Sequence, residues 1–305
     1  MSMGLIRSTL IGCVLLFASA QTGQAQAWLP NKGEGQVTIT YENLYVKYHF
    51  DYQGNKFDAG PIRTNTVIST FEYGITDKLT LDSQLTHVTS KYEGFVGPVP
   101  HGPPDTGVYH PTFQDIAVGV RYNVMSRHLF VTPFVAAVIP THHYETRGHT
   151  AVGRDLRELQ VGMNVGRDLE EIIPRTYFQA RYSYAFVQNV EQFGLNRSNV
   201  DWEFGYYAKP RVSLRFTGAW QYTYSGLRYP LDQAIPDFHE LHDRAAKSGF
   251  LRFGGGLTVT LAKNFDLHAD VGNTFRGYTT HGSRGLSLGI SWRFSRGGFR
   301  VGKFQ

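Results

Sequence analysis

The chain has 305 residues, a formal net charge of +5 and a charged fraction of 18%, with 18 Tyr and 21 Phe. Lys and Arg are scattered rather than clustered, which excludes a basic surface of nucleic-acid type. Many rings in a chain of mean hydropathy −0.29 suit a structure that is apolar outside and polar inside; the competing arrangement is a soluble sandwich with a Tyr-rich surface.

The N-terminus reads as an export signal. Arg7 precedes an apolar run from Thr9 to Ala20, and Ala25 and Ala27 frame a small-x-small cleavage site before Trp28. The expected division is a cleaved signal peptide over 1–27, with Ala20 and Ala25 as alternative cleavage points, and one barrel domain over 28–305. The apolar run is too short for a spanning helix, which needs ~20 residues. Cys13 is the only cysteine and sits inside that run. Leu10–Cys13 loosely resembles a lipoprotein box, but apolar residues continue past it. Disulfides and thiolate chemistry are thereby excluded from the mature chain. No later segment is long and apolar enough for a membrane helix, which leaves a soluble secreted protein or a β-barrel.

From residue 36 onward the sequence alternates with period two. Leu79, Leu81 and Leu85 oppose Thr80, Asp82, Gln84 and Thr86. Ile116, Val118, Val120 and Tyr122 oppose Ala117, Gly119 and Arg121. Val212, Leu214, Phe216, Trp220 and Tyr222 oppose Ser213, Arg215, Thr217 and Gln221. Leu286, Leu288, Ile290, Trp292 and Phe294 oppose Ser287, Gly289, Ser291 and Arg293. Alternation puts these sets on opposite faces of strands. About twelve segments are predicted, near 36–49, 63–75, 78–91, 112–125, 129–141, 155–167, 175–187, 198–208, 211–225, 248–261, 264–276 and 284–295. Their lengths suit ~9–11-residue membrane-crossing strands better than ~5–6-residue sandwich strands. The weakest is 129–141, which is apolar on both faces and contains Pro133.

Connections alternate in length. Those around 76–77, 126–128, 209–210 and 263–264 are short, and 168–174 is intermediate. Those at 50–62, 92–111, 142–154, 188–197, 226–247 and 277–283 are longer. This parity predicts an all-β, antiparallel, up-and-down transmembrane β-barrel of about 12 strands, with both termini on the short-turn, periplasmic side. Tyr73, Tyr122, Tyr206, Trp292 and Phe294 lie toward that side. Trp220, Tyr222, Tyr184 and Phe186 lie toward the other, as interface rings would.

Gly285–Phe294 resembles the terminal signal of bacterial outer-membrane barrels. Eleven residues follow Phe294, so Phe304 is an alternative end for the last strand. More broadly, Ala27–Gly35, Phe71–Leu81 and Phe113–Tyr122 resemble the outer-membrane family of the MetA-pathway of phenol degradation. The likeness is best over the first 125 residues and rests on architecture beyond them. It implies a role in the passage of aromatic compounds across the outer membrane of a Gram-negative bacterium.

The polar faces carry charges of both signs: Glu42, Glu72, Asp82, Arg121, Arg181, Asp201, Glu203, Arg215, Arg252, Asp266, His268, Asp270 and Arg293. They are predicted to line the lumen, where they would set pore selectivity or pair across it and fill it. Asp237–Asp243 is the densest ligand-like cluster. His239, His242 and Asp243 are its candidate metal ligands, but its place in the longest loop favours a solvated loop or a surface helix turn over a metal site. His142, His143 and His149 form no compact triad with a nucleophile. Gly254–Gly256 lies within a strand and lacks the ending of a phosphate loop. About eight residues precede the first strand after cleavage, too few for a folded plug. The expected function is therefore a non-enzymatic barrel that passes small, aromatic or apolar molecules, with no cofactor. Its partners are outer-membrane lipid and a small solute, with no nucleic acid; oligomeric state is left open. A filled barrel with a structural or surface-interaction role, and a membrane-embedded hydrolase, are the alternatives.

Overall fold

A computed structural model describes residues 27–95, 102–235 and 237–295, apart from the side chain of His239. The expected signal peptide, apart from Ala27, and the alternative strand end at Phe304 lie outside these residues.

The alternating segments form twelve long strands: β1 (Glu34–Phe50), β2 (Ile62–Thr76), β3 (Leu79–Tyr92), β4 (His110–Tyr122), β5 (Phe130–Pro140), β6 (Glu158–Asp168), β7 (Thr176–Val187), β8 (Arg197–Lys209), β9 (Val212–Thr223), β10 (Gly249–Ala262), β11 (Phe265–Tyr278) and β12 (Thr280–Ser295). Each pairs antiparallel with its neighbours in sequence, and β1 pairs with β12 from Glu34↔Ser295 to Phe50↔Thr280. The sheet is therefore closed, with no free edge. Two-residue ladders at Lys56–Phe57 and Met125–Ser126 add to β1 and β5. One short helix, α1 (Phe238–Leu241), lies in the β9–β10 loop.

The wall is inverted relative to a soluble protein. Ile39, Tyr41, Val118, Val120, Leu214, Phe216, Leu286, Leu288 and Ile290 are exposed, while Thr38, Glu42, Arg121, Ser287 and Ser291 are buried. Only a lipid-facing barrel stabilises that pattern, because every backbone group is paired within the wall. At the short-turn end, Phe71, Tyr73, Trp292 and Phe294 stack on one another with ring centroids 5.4–6.4 Å apart. At the other end, Tyr184 packs on Phe186 and Trp220 on Tyr222.

Two expectations needed adjustment. Segment 277–283 is not a loop: strands β11 and β12 run on, and Thr279 alone joins them at φ 43°. Tyr278 still pairs with Gly249, and Thr280 with Phe50, so neighbouring strands extend this hairpin past the predicted turn. Length parity thus breaks at this last connection. Segment 129–141 is a full strand despite Pro133. The β4–β5 ladder stops at Arg121↔Phe134, so on that side a missing N–H at Pro133 breaks no ladder bond, while on the other side Pro133 pairs with Met163 of β6.

Residues 27–33 do more than lead into β1. Gly33 N–H donates to Gly74 O at 2.8 Å, and Lys32 N–H donates to Asp77 Oδ1 at 2.9 Å. From this anchor beside the β2–β3 turn the chain crosses the short-turn mouth. Ala27 is fully buried; its carbonyl accepts from Thr132 Oγ1 at 2.8 Å, and its N–H donates to Gln179 Oε1 at 3.3 Å. Trp28 packs between Phe130 and Tyr177, at 5.8 and 5.6 Å. Gly166 makes room: a Cβ there would collide with that of Ala27. Among the described residues there is no folded plug, yet seven residues span the opening.

Candidate functional site: the charged lumen and its covered mouth

The thirteen charged positions singled out from sequence all lie on the face opposite the exposed apolar residues. They fall into two groups. In the first, each charge has a partner on another strand. Arg121 (β4) grips Asp82 (β3) through Nε–Oδ2 at 2.8 Å and Nη2–Oδ1 at 2.7 Å, and reaches Glu72 (β2) at 3.3 Å. Arg215 (β9) meets Asp270 (β11) at 2.6 Å and Glu203 (β8) at 3.9 Å. Gly256 on the intervening strand β10 explains how Arg215 and Asp270 meet, since a Cβ there would strike the Asp270 carboxylate. Glu203 also accepts from Tyr177 Oη at 2.6 Å and Gln179 Nε2 at 3.1 Å. Arg293 pairs with Asp266 at 3.1 Å. His268 bridges Thr258 and Ser291 at 3.0 and 2.7 Å.

The second group has no ion pair among the described residues. Arg181 lies over the Phe134 ring at 4.1 Å and reaches Gln160 only at 3.5 Å. Arg252 lies over Phe250 at 4.1 Å and donates to Thr274 Oγ1 at 3.3 Å. Asp201 is an electrostatic neighbour of both guanidinium groups, and Glu42 of Arg252; Glu42 Oε1 has no hydrogen-bond partner. Guanidinium groups resting on ring faces gain a cation–π attraction while their donors stay available. A cavity of ≈ 140 Å³ beside Arg181 is lined by Thr38, Glu72, Asp82, Arg121 and Phe134, among others. Phe134 was not read as a site residue, because its segment is apolar on both faces.

At the opposite end, long loops cover the mouth. Leu156, Val187, Val190, Leu195, Leu227, Phe238 and Ala245 form a buried apolar cluster. It places the β9–β10 loop over the inner wall of β7. Asp105, fully buried, accepts from His149 N–H at 2.8 Å and Thr150 N–H at 2.9 Å, and from Thr150 Oγ1 at 2.8 Å. It thereby pins the β3–β4 loop to the β5–β6 loop. That loop is tied in turn to β9–β10: Gly148 N–H donates to Asp243 Oδ2 at 2.8 Å, and Arg147 Nη1 to Glu240 Oε2 at 2.7 Å.

Burial alone would raise the Asp105 carboxyl, but the donors from His149 and Thr150 outweigh it and hold it below the usual range. A depressed folded value means that the Asp105 contribution is present above the ordinary value of ~3.9 and lost as pH falls through the folded one. Loop docking is therefore expected to hold from neutral pH to about 4 and to weaken below it. Asp105→Ala is expected to cost about 1.5–3 kcal/mol of local stability at neutral pH. Hydrogen exchange at His149 and Thr150 reads this; unchanged protection in the variant would contradict it.

Of the candidate metal ligands, His242 lies 3.1 Å from Asp243 and stacks on Phe238, while the His239 side chain lies outside the described residues. No group of three or more His, Cys, Asp or Glu among the described residues is placed to hold a metal ion. His143 pairs with Asp155 at 2.8 Å and is almost fully exposed, and no hydroxyl among the described residues bonds to it.

The chain is similar to the COG4313 outer membrane channel from Pseudomonas putida F1, with 13% identity and a TM-score of 0.66, over 88% of this chain and 98% of that one. The fold is that of an outer-membrane β-barrel. The translocator domain of the autotransporter NalP from Neisseria meningitidis is also similar, with 11% identity and a TM-score of 0.52, over 87% of this chain and 90% of that one. No family model matches the sequence, and no curated protein matches it. A channel and a translocator domain share this barrel, so the fold by itself does not choose a function.

Proposed function

We propose that this protein is a non-enzymatic channel of the Gram-negative outer membrane that passes small molecules, aromatic ones among them. The observation that carries the reading is the second group of lumen charges. A barrel filled for stability pairs its charges across the wall, as Arg121 and Arg215 do. Arg181, Asp201, Arg252 and Glu42 instead lie on the inner face with no ion pair among the described residues, where fixed charges would set the selectivity of a water-lined path. Ring faces beside the guanidinium groups suit planar solutes. Two likenesses support the same reading. Ala27–Gly35, Phe71–Leu81 and Phe113–Tyr122 resemble the MetA-pathway of phenol degradation family, and the similar barrel from Pseudomonas putida F1 is an outer membrane channel. The short-turn end would face the periplasm and the long loops the exterior.

Single-channel recording in planar bilayers tests it. The wild type is expected to give discrete conductance steps. Trp28→Ala, which thins the segment across the short-turn mouth, is expected to enlarge them by about twofold or more. No conductance from either protein, with the barrel folded, would sink the channel reading.

A further inference from the structure

Above the lumen, beneath the long loops, lies a second cavity of ≈ 320 Å³. Its wall joins the tips of β1 and β12 to three loops. Phe57 and Tyr229 stack on each other in that wall, with centroids 5.2 Å apart and planes at 22°. Phe50, His49 and His281 form another side, the two imidazoles 4.5 Å apart. Such a volume is roughly twice the ~150 Å³ cavity that accommodates a benzene, so a single-ring molecule with a polar substituent fits.

Two charges line the cavity, the carboxylate of Asp243 and the guanidinium of Arg154. Arg154 Nη2 donates to Ser248 Oγ at 2.7 Å, and its Nη1 is buried with no hydrogen-bond partner. No carboxylate of the described chain forms an ion pair with it. The two acids nearby are committed elsewhere: Asp243 holds the Gly148 N–H and His242, and Glu158 holds Arg197 at 2.5 Å. Burial, with the neighbouring Arg197, pushes the Arg154 guanidinium down to about 10, so it remains charged at neutral pH. A buried cation without a counter-ion is costly, and a guanidinium fork is matched by a carboxylate.

We infer that this chamber is a binding site for a small aromatic carboxylate, whose anionic group is held by Arg154 and whose ring lies against Phe57 and Tyr229. The inference rests on the channel reading for its purpose, since the site would collect solute ahead of the lumen. It stands on its own contacts for its chemistry. Arg154 belongs to the β5–β6 loop that Asp105, Asp243 and Glu240 tie down, so the loops that cover the mouth also shape the site.

Isothermal titration of the full refolded barrel with benzoate, benzyl alcohol and acetate tests the assignment without any variant. Benzoate is expected to bind about tenfold or more tighter than either of the others, because a charged hydrogen-bond pair and a ring must both be present. Arg154→Met is expected to bring benzoate down to the level of benzyl alcohol, and Arg154→Lys to recover part of the difference. Heat-modifiable migration on gels certifies that each variant is folded. Equal binding of benzoate and benzyl alcohol by the wild type would overturn the assignment, as would undiminished benzoate binding by folded Arg154→Met. Bilayer conductance is scored separately. Benzoate binding without conductance would leave the site standing and remove the channel; conductance without benzoate binding would do the reverse.

Discussion

Replacing Arg121 by Ala is expected to lower barrel stability by about 2–4 kcal/mol, below the upper end of the range for breaking a buried ion pair. The Arg121 side chain is 4% exposed and serves two carboxylates, Asp82 and Glu72, from neighbouring strands. Its removal takes from both a closely paired cation in a narrow interior, with Arg181 remaining as a charge near Asp82. The discount reflects Asp82, whose side chain keeps 24% of its exposure to the lumen and so retains some solvation. The loss is asymmetric: removing one partner strands the other, whereas removing both need not cost much. Arg121→Ala combined with Asp82→Ala is therefore expected to recover a substantial part of the deficit. Urea midpoints for folding into lipid vesicles measure both. A midpoint for Arg121→Ala equal to that of the wild type would mean that the lumen solvates these carboxylates as well as bulk water does.

The second large effect is on the outer face. Leu288 stands midway along β12, beside Tyr41 of β1 and Ala269 of β11, and is exposed toward the lipid. Leu288→Arg is expected to cost about 2–4 kcal/mol in a bilayer, the value for an Arg on the lipid face near the midplane. The same cation at Gln84, which lines the inner cavity near Asp82, is expected to change stability little. The comparison is one of direction rather than of residue type, because period two sends residue 288 outward and residue 84 inward. Vesicle-based unfolding again reads the difference. If the two variants lost the same stability, the assignment of inner and outer faces would be wrong.

Most of the wall was legible in the sequence because a lipid-facing strand has to alternate. Leu286, Leu288 and Ile290 against Ser287 and Ser291 leave only one register that keeps charges out of lipid. The same constraint carried every charged candidate to the inner face. Contacts between strands far apart in sequence were not legible. Nothing local tells that Arg215 pairs with Asp270 across β10, or that Gly256 is the reason it can. The covered mouths were missed for the same reason. No role at the mouth could be read for Ala27, placed at the end of the signal peptide, or for Trp28 after it, since their partners Phe130, Thr132 and Tyr177 are supplied by strands on another part of the wall. Arg154 and Phe57 sat in long loops, where periodicity is silent. The 277–283 connection was misjudged because a loop and a protruding hairpin have the same Gly- and Thr-rich composition. Pairing with β1 and β10 decides between them.

The β1–β12 ladder has a consequence for how the molecule is made. Thr38 and Ser291, whose hydroxyls meet at 2.7 Å, are 253 residues apart in sequence. Every other long-strand pairing in the wall joins consecutive strands, which can zip locally in the order they are presented; this seam alone needs the whole circumference to be in place. Closure is therefore expected to come last in assembly, where it would act as a checkpoint. A slipped register anywhere in the wall would reach it as a misfit between the first strand and the last, before the sheet edges are hidden from other chains.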